Sequence, residues 1–137
     1  MHQISASLDV RAERAGLHLI TAAVSDWLVS QGIGTGLLTL FCRHTSASLL
    51  IQENAAPDAR RDLEGFFARL APEGAYEHSD EGPDDMPAHL RSALTQTHLS
   101  IPVSGGRMVL GTWQGIYLFE HRSGTPVRQI ALHLIGE

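Results

Sequence analysis

The stretch "GLLTLFCRH", residues 36–44, is a strongly apolar run near the middle of the first half of a chain of 137 residues. Strands at the centre of a sheet have such runs, because neither of their faces meets water. The stretch therefore predicts a central β-strand. It ends on His44, whose side chain can project into a cleft from the end of that strand.

Two strands and a helix are predicted before this stretch. Residues 2–10 alternate between apolar and polar side chains, which is typical of a strand, and "GLHLI", residues 16–20, predicts a second, short strand. The segment "TAAVSDWLVSQG", residues 21–32, has its apolar residues at helical spacing. Thr21 is expected to cap the start of this helix and Gly32 to end it.

Two helices and several strands are predicted after it. Pro57, the acidic Asp58 and a single apolar stripe predict a helix over residues 57–70, with Ala59, Leu63, Phe66, Phe67 and Leu70 in the stripe. A loop over residues 71–85 precedes a third helix, which runs from Asp85 or Met86 to about Gln96. The remaining strands are predicted at residues 98–103, 107–113, 115–122 and 127–135, with turn signals in "SGG" (104–106) and "SGTP" (123–126).

This order of elements predicts a single α+β domain over residues 1–137, with a mostly antiparallel sheet or sandwich and about three helices. The composition is that of a globular protein, with 43% hydrophobic and 18% charged residues. The net charge of -5 argues against a nucleic-acid-binding protein. The sequence has neither a signal-peptide pattern nor an apolar run long enough for a membrane span, so a cytoplasmic location without a membrane partner is expected.

Ionisable residues are concentrated in "EHSDEGPDDMPAHLRSALTQTHLS", residues 77–100, which holds three histidines and five acidic residues. His78 and His89 flank Asp84 and Asp85 there. A fold that gathers these residues with His44 would hold a histidine–carboxylate cluster suited to one divalent metal or to acid–base catalysis. The alternatives remain open, because His44 is also consistent with a hydrogen-bonded residue at the rim of a strand.

A second group of candidates lies in and before "GTWQGIYLFEHR", residues 111–122. Adjacent strand residues point to opposite faces, so only one of Glu120 and His121 can enter a given cleft unless the strand has just ended. Trp113 is expected in the core. Asn54, ahead of Pro57, is consistent with a helix N-cap as well as with a ligand contact.

Three strings of the sequence, "HTSASLLIQEN", "YEHSDEGPDDMPAHL" and "GRMVLGTWQGIYLFEHR", resemble the signature of the YjbQ-like family, also called secondary thiamine-phosphate synthase enzymes. The resemblance implies an α+β domain that assembles as a homotrimer and has a weak or secondary thiamine-phosphate synthase activity. It also implies a histidine-lined pocket for a metal or an anion. The positions that match the motifs are His44, Ser46, Asn54, His78, Asp84, Asp85, His89, Gln114, Glu120 and His121.

With this resemblance, the sequence predicts an enzyme that acts on a small-molecule substrate with a divalent metal, zinc or magnesium. Three roles are assigned: metal ligands at His44, His78 and His89, catalytic groups at Asp84, Asp85, Glu120 and His121, and substrate contacts at Ser46, Asn54 and Gln114. The chain has no lysine, and basic side chains near the motifs are few. A metal-dependent hydrolase of another substrate is therefore an alternative, and a non-catalytic trimer that binds a small ligand is a further one.

Overall fold

The computed structural model describes residues 1–124 and 126–137, and it confirms a single α+β domain with three helices and antiparallel sheets. The helices are α1 (Thr21–Gln31), α2 (Pro57–Leu70) and α3 (Asp85–Leu94). The strands are β1 (His2–Arg11), β2 (Gly16–Leu19), β3 (Gly36–Cys42), β4 (Ala47–Glu53), β5 (His98–Ser104), β6 (Arg107–Met108), β7 (Gln114–Glu120) and β8 (Val127–Gly136).

The strands form two sheets that enclose the main core. One sheet has five strands in the order β1-β8-β3-β5-β6, and the other has three in the order β2-β7-β4. Leu38 and Leu40 of β3 face Ile116 and Leu118 of β7 within one buried cluster. Burial of such side chains stabilises each by roughly 1.5–3 kcal/mol relative to exposure. The two sheets therefore pack face to face and hold the ends of β3, β4 and β7 in place.

The β3 strand occupies the middle of the five-stranded sheet, as its apolar sequence predicts, but it is buried on one face only. Leu38, Leu40 and Cys42 point into the core, whereas Leu37 and Phe41 on the opposite face are 41% and 47% exposed. The core therefore accounts for the apolar residues on only one face of this strand. The outer face of the sheet is open in a single chain.

The helices follow the sequence closely, with different contacts at their ends. The α2 helix has the predicted bounds, but only Leu63 and Phe67 of its apolar stripe pack against the smaller cluster of Leu17, Tyr117 and Phe119. Gly32 ends α1 in a left-handed conformation, as predicted. Thr21 does not cap α1, because its hydroxyl oxygen accepts the backbone N–H of Ile116 instead.

Asn54 does not take the alternative role of a helix N-cap. The α2 N-cap is Ala56, and the carboxylate of Glu53 accepts the backbone N–H groups of Ala55 and Ala56 ahead of the helix. The Asn54 amide instead donates to the backbone oxygen of Gln114. This side chain therefore joins the end of β4 to the start of β7.

The structure departs from the sequence predictions in four other places. The strand β4 was not predicted, and the strand predicted over residues 107–113 is confined to Arg107–Met108. Trp113 is 64% exposed rather than part of the core, in the loop that precedes β7. Helix α3 ends at Leu94, because Thr95 is extended and Gln96 forms a bridge with Leu49.

The two predicted turns have different outcomes. Gly105 and Gly106 have φ values of +58° and +76°, which suit the tight hairpin between β5 and β6. The second turn, predicted over residues 123–126, includes Thr125, which lies outside the described residues. The strands on either side of it, β7 and β8, belong to different sheets and do not form a hairpin.

Among the described residues, no helix is both long and apolar enough to cross a membrane.

The pairing of β3 with β8 requires glycine at its end. Gly36 lies opposite Gly136, and a Cβ atom on Gly36 would collide with the backbone oxygen of Ile135 and lie 2.9 Å from the Cα of Gly136. Both obstacles are backbone atoms, so neither can move aside as a flexible side chain can.

We therefore expect Gly36→Ala to lower the free energy of unfolding by about 1–3 kcal/mol, the usual cost of overpacking. The measurement is urea unfolding followed by circular dichroism. Gly74→Ala is the matched control, because its added Cβ meets no atom within 4 Å, and a change within about 0.5 kcal/mol is expected for it. Equal stability of the two variants would contradict the close approach of β3 and β8.

Candidate metal centre

The first turns of α3 and the preceding loop bring two histidines to one carboxylate. Asp85 and His89 are four residues apart and share a face of α3, and His78 approaches from the loop. Asp85 Oδ2 lies 2.8 Å from His78 Nε2 and 3.1 Å from His89 Nε2. Their potential ligand atoms all lie within 4.8 Å of one another, so these three residues form a group that could hold a metal ion. We call them the metal triad.

The orientation of the His89 ring is determined by the loop after β3. His89 Nδ1 lies 2.8 Å from the backbone oxygen of Thr45, which can only accept a hydrogen bond. Nδ1 therefore carries a hydrogen, and Nε2 is the nitrogen available as a ligand. A hydrogen bond from the second ring nitrogen is the usual way in which proteins orient a metal-binding histidine.

Arg122 holds the other oxygen of Asp85. Its Nη1 donates to Asp85 Oδ1 over 2.6 Å, and its Nη2 donates to the backbone oxygen of Glu81. Burial alone would raise the pKa of Asp85, but the hydrogen bond with His78 and the neighbouring His89 and Arg122 outweigh it, so this pKa is below its ordinary value. Asp85, only 4% exposed, is therefore an ionised carboxylate at neutral pH.

Asp84 has a different role from its neighbour. Its Oδ2 accepts hydrogen bonds from the backbone N–H and the hydroxyl of Ser123 and lies 3.2 Å from Arg122 Nε. Burial opposes ionisation of Asp84, but these hydrogen bonds outweigh it and lower its pKa. Asp84 thus anchors the segment after β7 and is not part of the metal triad. A catalytic role for it stays a prediction.

An open cleft of about 1030 Å³ lies beside the metal triad. The cleft is lined by residues 41–46 and by His89, Ser92, Ala93 and Thr97. His89 belongs both to the metal triad and to the cleft wall, so a molecule in the cleft would lie next to a metal held by His89. Two of the residues that the sequence singles out, His44 and Ser46, also line this cleft.

His44 lines the cleft but does not join the metal triad. Its Nε2 accepts the backbone N–H of Gln129 over 2.8 Å, which occupies the lone pair that a metal would need. The assignment of His44 as a ligand is thus not supported within one chain, since the triad consists of His78, Asp85 and His89. The structure favours the alternative of a hydrogen-bonded histidine at the rim of the strand.

Glu120 and His121 lie inside the protein, apart from the cleft lining. Glu120 is fully buried in an ion pair with Arg128, whose Nε donates to Oε1 over 2.7 Å, and its Oε2 accepts the backbone N–H of Arg122. His121 is 2% exposed, and its Nε2 lies 2.9 Å from the Ser48 hydroxyl. Both side chains therefore have structural partners, and their predicted catalytic roles stay untested.

Asn54 and Gln114 lie far from the metal triad in the same chain. Gln114 pairs with Glu53 at one end of the β4–β7 ladder, whereas Glu120 pairs with Ala47 at the other. Six residues along a strand span roughly 20 Å. The predicted substrate contacts are therefore divided, with Ser46 at the cleft and Asn54 and Gln114 at the opposite strand ends.

Three side chains that shape the site were not among the predicted functional residues. Arg122 binds Asp85. Ser48 and Thr95 form a partly buried hydrogen-bond chain to His121, with 2.6 Å between the two hydroxyl oxygens. Arg122 ends one of the motif strings and is the one that sequence could have found. Ser48 lies within a strand that was not predicted, and Thr95 lies in the part of the predicted third helix that is extended.

The buried His121 makes stability depend on pH. Burial, with Arg91 and Arg128 adding to it, lowers the pKa of His121 to about 3, whereas an unfolded histidine titrates near 6.5. The unfolded chain thus binds more protons between these values, and stability falls as pH decreases through that window. Above about pH 6.5 this contribution is fully present.

We expect the wild type to lose about 2 kcal/mol more stability than His121→Phe between pH 7 and pH 5. Urea unfolding of both proteins at the two pH values, with a chelator present, measures the difference. The comparison cancels the contributions of the other histidines. Equal losses in both proteins would mean that His121 titrates in the folded state as it does in the unfolded chain.

The comparisons with known proteins agree with the three motif strings. Residues 6–137 match the family described as UPF0047 protein YjbQ-like. The chain is 50% identical over 132 residues to UPF0047 protein sll1880 of Synechocystis, covering 95% of this chain and 90% of that protein. It is 45% identical over 133 residues to UPF0047 protein YjbQ of Escherichia coli O157:H7, covering 96% of each.

Solved structures show the same fold. The hypothetical protein APE1520 from Aeropyrum pernix K1 matches with a TM-score of 0.89 and 33% identity over 98% of this chain and 99% of that one. The conserved hypothetical protein TT1486 from Thermus thermophilus matches with a TM-score of 0.83 and 37% identity over 95% and 99%. These matches confirm the resemblance drawn from the sequence, and the chain belongs to the YjbQ-like UPF0047 family.

Proposed function

We propose that this protein is a metal-dependent enzyme for a small-molecule substrate, with the metal at His78, Asp85 and His89 and the substrate in the adjacent cleft. The observation that carries the proposal is the convergence of two imidazole nitrogens on one buried, ionised carboxylate. Three protein ligands with a further position left for water or substrate are typical of catalytic zinc sites.

The donor set favours zinc over magnesium. Two of the three potential ligand atoms are imidazole nitrogens, whereas magnesium prefers oxygen ligands. When bound, zinc would supply a Lewis acid that polarises a substrate oxygen and lowers the pKa of a bound water. The chain's own contribution is to orient His89 through Thr45 and to hold the other oxygen of Asp85 through Arg122.

The charges around the site favour hydrolysis over transfer of a diphosphate-bearing group. Thiamine-phosphate synthesis releases pyrophosphate, so basic groups are needed where negative charge develops. Arg122 is paired with Asp84 and Asp85, and Arg128 is paired with Glu120, which leaves Arg43 as the basic residue that lines the cleft. We therefore propose metal-dependent hydrolysis as the main reaction and thiamine-phosphate synthesis as a secondary activity. The cytoplasmic location of this reaction stays a prediction.

The metal is tested by elemental analysis of protein purified without a histidine tag. We expect about one zinc per chain in the wild type and clearly less in His89→Ala. Removing one of three ligands lowers the affinity for zinc by about tenfold or more. His2→Ala is the matched control, since His2 is exposed on β1 and lies outside the metal triad. It should retain the wild-type metal content.

The other outcomes are equally informative. Equal metal content in wild type, His89→Ala and His2→Ala would contradict the assignment of the metal triad. The absence of zinc and of any other divalent metal from all three proteins would favour the non-catalytic ligand-binding protein. If zinc binds as expected, a screen of small esters, amides and phosphoesters, together with the two thiamine precursors, tests the reaction class.

We also propose that the chains assemble as a homotrimer, as the family resemblance implies. The outer face of the five-stranded sheet supports assembly, because no lysine, arginine, aspartate or glutamate lies in its three central cross-strand rows. These rows are Gln3, Ile135, Leu37 and Pro102; Ser5, His133, Thr39 and Ser100; and Ser7, Ala131, Phe41 and His98. Depletion of charge with exposed apolar side chains is typical of the centre of an interface.

Light scattering after size-exclusion chromatography tests the assembly. We expect the wild type to have about three times the chain mass of 14.9 kDa, and Leu37→Glu to dissociate, because a charge would be buried between copies. Phe66→Glu is the matched control, since Phe66 is 50% exposed, against 41% for Leu37, but lies on α2, away from this face. A monomeric wild type, or dissociation of the control alone, would contradict the proposal.

A further inference from the structure

The two oxygens of Asp85 have different partners. Oδ2 lies 2.8 Å from His78 Nε2 and 3.1 Å from His89 Nε2, whereas Oδ1 accepts a hydrogen bond from Arg122 Nη1 over 2.6 Å. A charge-assisted bond of this kind is among the strongest that a carboxylate forms in a protein. A carboxylate coordinates a metal through both oxygens only when neither is held elsewhere. Arg122 therefore leaves Asp85 with Oδ2 as its one ligand oxygen.

The guanidinium of Arg122 is itself held in place. Its Nη2 donates to the backbone oxygen of Glu81 over 2.8 Å, and its Nε lies 3.2 Å from Asp84 Oδ2. The backbone N–H of Arg122 donates to Glu120 Oε2 over 3.0 Å, which fixes the start of the side chain. The Arg122 side chain is 25% exposed, so water competes little with these bonds. Asp85 therefore cannot turn Oδ1 toward a metal without breaking a bond to a rigid cation.

The loop that carries His78 packs around the same guanidinium. Gly82 has a φ of +107°, which favours glycine, and a Cβ atom there would lie 3.5 Å from Asp84 Oδ1 and 4.0 Å from Arg122 Nη2. This turn brings the backbone oxygen of Glu81 against Arg122 on the way from His78 to the start of α3. The cation and the metal triad are thus built by one local segment together with the end of β7.

Such a neighbour affects divalent cations unequally. A positive charge beside the site opposes every divalent cation. Magnesium, manganese and calcium depend most on carboxylate charge and on several oxygen ligands, and calcium often takes both oxygens of one carboxylate. Zinc takes four ligands and binds imidazole nitrogen well. Two imidazoles with a single carboxylate oxygen therefore suit zinc, and the arrangement around Arg122 disfavours the oxygen-preferring cations.

We propose that Arg122 determines the metal specificity of the site, by holding Asp85 to one ligand oxygen and by opposing cations that depend on carboxylate charge. The site then favours zinc over magnesium, manganese and calcium. This inference rests on the proposed function, because it concerns the same metal triad. Arg122 acts through Asp85 and is a positioning residue, since its own donors are bound to Asp85 and Glu81.

The inference is tested by the affinities of metal-free protein for three cations. Zinc is measured by competition with a chromophoric chelator, manganese by electron paramagnetic resonance and calcium by titration calorimetry. In Arg122→Met both oxygens of Asp85 are free and a positive charge is gone, so affinity for manganese and calcium should rise about tenfold or more. Zinc affinity should stay the same or fall, because the orientation of its ligand oxygen is lost. The preference for zinc should thus fall about tenfold or more.

Two milder variants keep the comparison decisive if Arg122→Met fails to fold. Arg122→Lys keeps the positive charge but not the planar fork that binds Asp85 and Glu81 together, so it should retain more of the preference for zinc. Asp84→Asn removes one contact of Arg122 and leaves the guanidinium in place. It should lower the preference in the same direction, but by less than either substitution of Arg122.

Arg14→Met is the matched control, since Arg14 forms an ion pair with Glu64 and lies outside the metal triad. It removes the same charged group and should leave all three affinities unchanged. A purely structural role for Arg122 predicts that its substitution weakens zinc, manganese and calcium by the same factor. That result, or an unchanged preference for zinc, would overturn the inference.

The same titrations separate this inference from the proposed function. Zinc binding by the wild type, with an unchanged preference in the Arg122 variants, would overturn the role of Arg122 and leave the metal enzyme intact. A wild type that binds manganese or calcium more tightly than zinc would also overturn this inference alone. A wild type that binds none of the three cations would contradict both.

Discussion

The buried ion pair between Glu120 and Arg128 joins the two sheets at the place where the candidate site is built. Glu120 ends β7 in the three-stranded sheet, and Arg128 lies near the start of β8 in the five-stranded sheet. Arg128 also donates to the backbone oxygen of Ser46, which ties the loop after β3 to the same point. Removing one partner from such a pair typically costs about 3–5 kcal/mol, because the other charge stays buried and unpaired.

The candidate site depends on this junction through a short series of contacts. Glu120 accepts the backbone N–H of Arg122, Arg122 holds Asp85, and Asp85 meets His78 and His89. On the other side of the junction, β8 positions the ring of His44. Side chains from separate parts of the chain thus reach the metal triad and the cleft without long flexible connections, which keeps their geometry rigid.

Local pattern predicted those parts of the fold in which local interactions dominate. The helices α1 and α2 were found because their apolar periodicity is clear, and the strand β3 because its apolar run is continuous. The strand β4 was missed, since "ASLLIQE" follows a polar "HTS" and has little alternation, and its pairing with β7 is a contact between residues far apart in the chain. Trp113 was expected in the core because of its size, but it lies exposed in the loop that precedes β7.

The sequence by itself determined the fold class, the family and the residue types from which a site could be made. It singled out His78, Asp85 and His89 within residues 77–100, but it assigned Asp85 a catalytic role and not that of a ligand. Only the tertiary structure decided which candidates meet. His44 Nε2 accepts the backbone N–H of Gln129 and so is not free to join the metal triad. Glu120 is paired with Arg128. Both partners lie on β8, which returns to the five-stranded sheet beside β3. The partner of His44 lies 85 residues away along the chain, and spacing in the sequence does not reveal it.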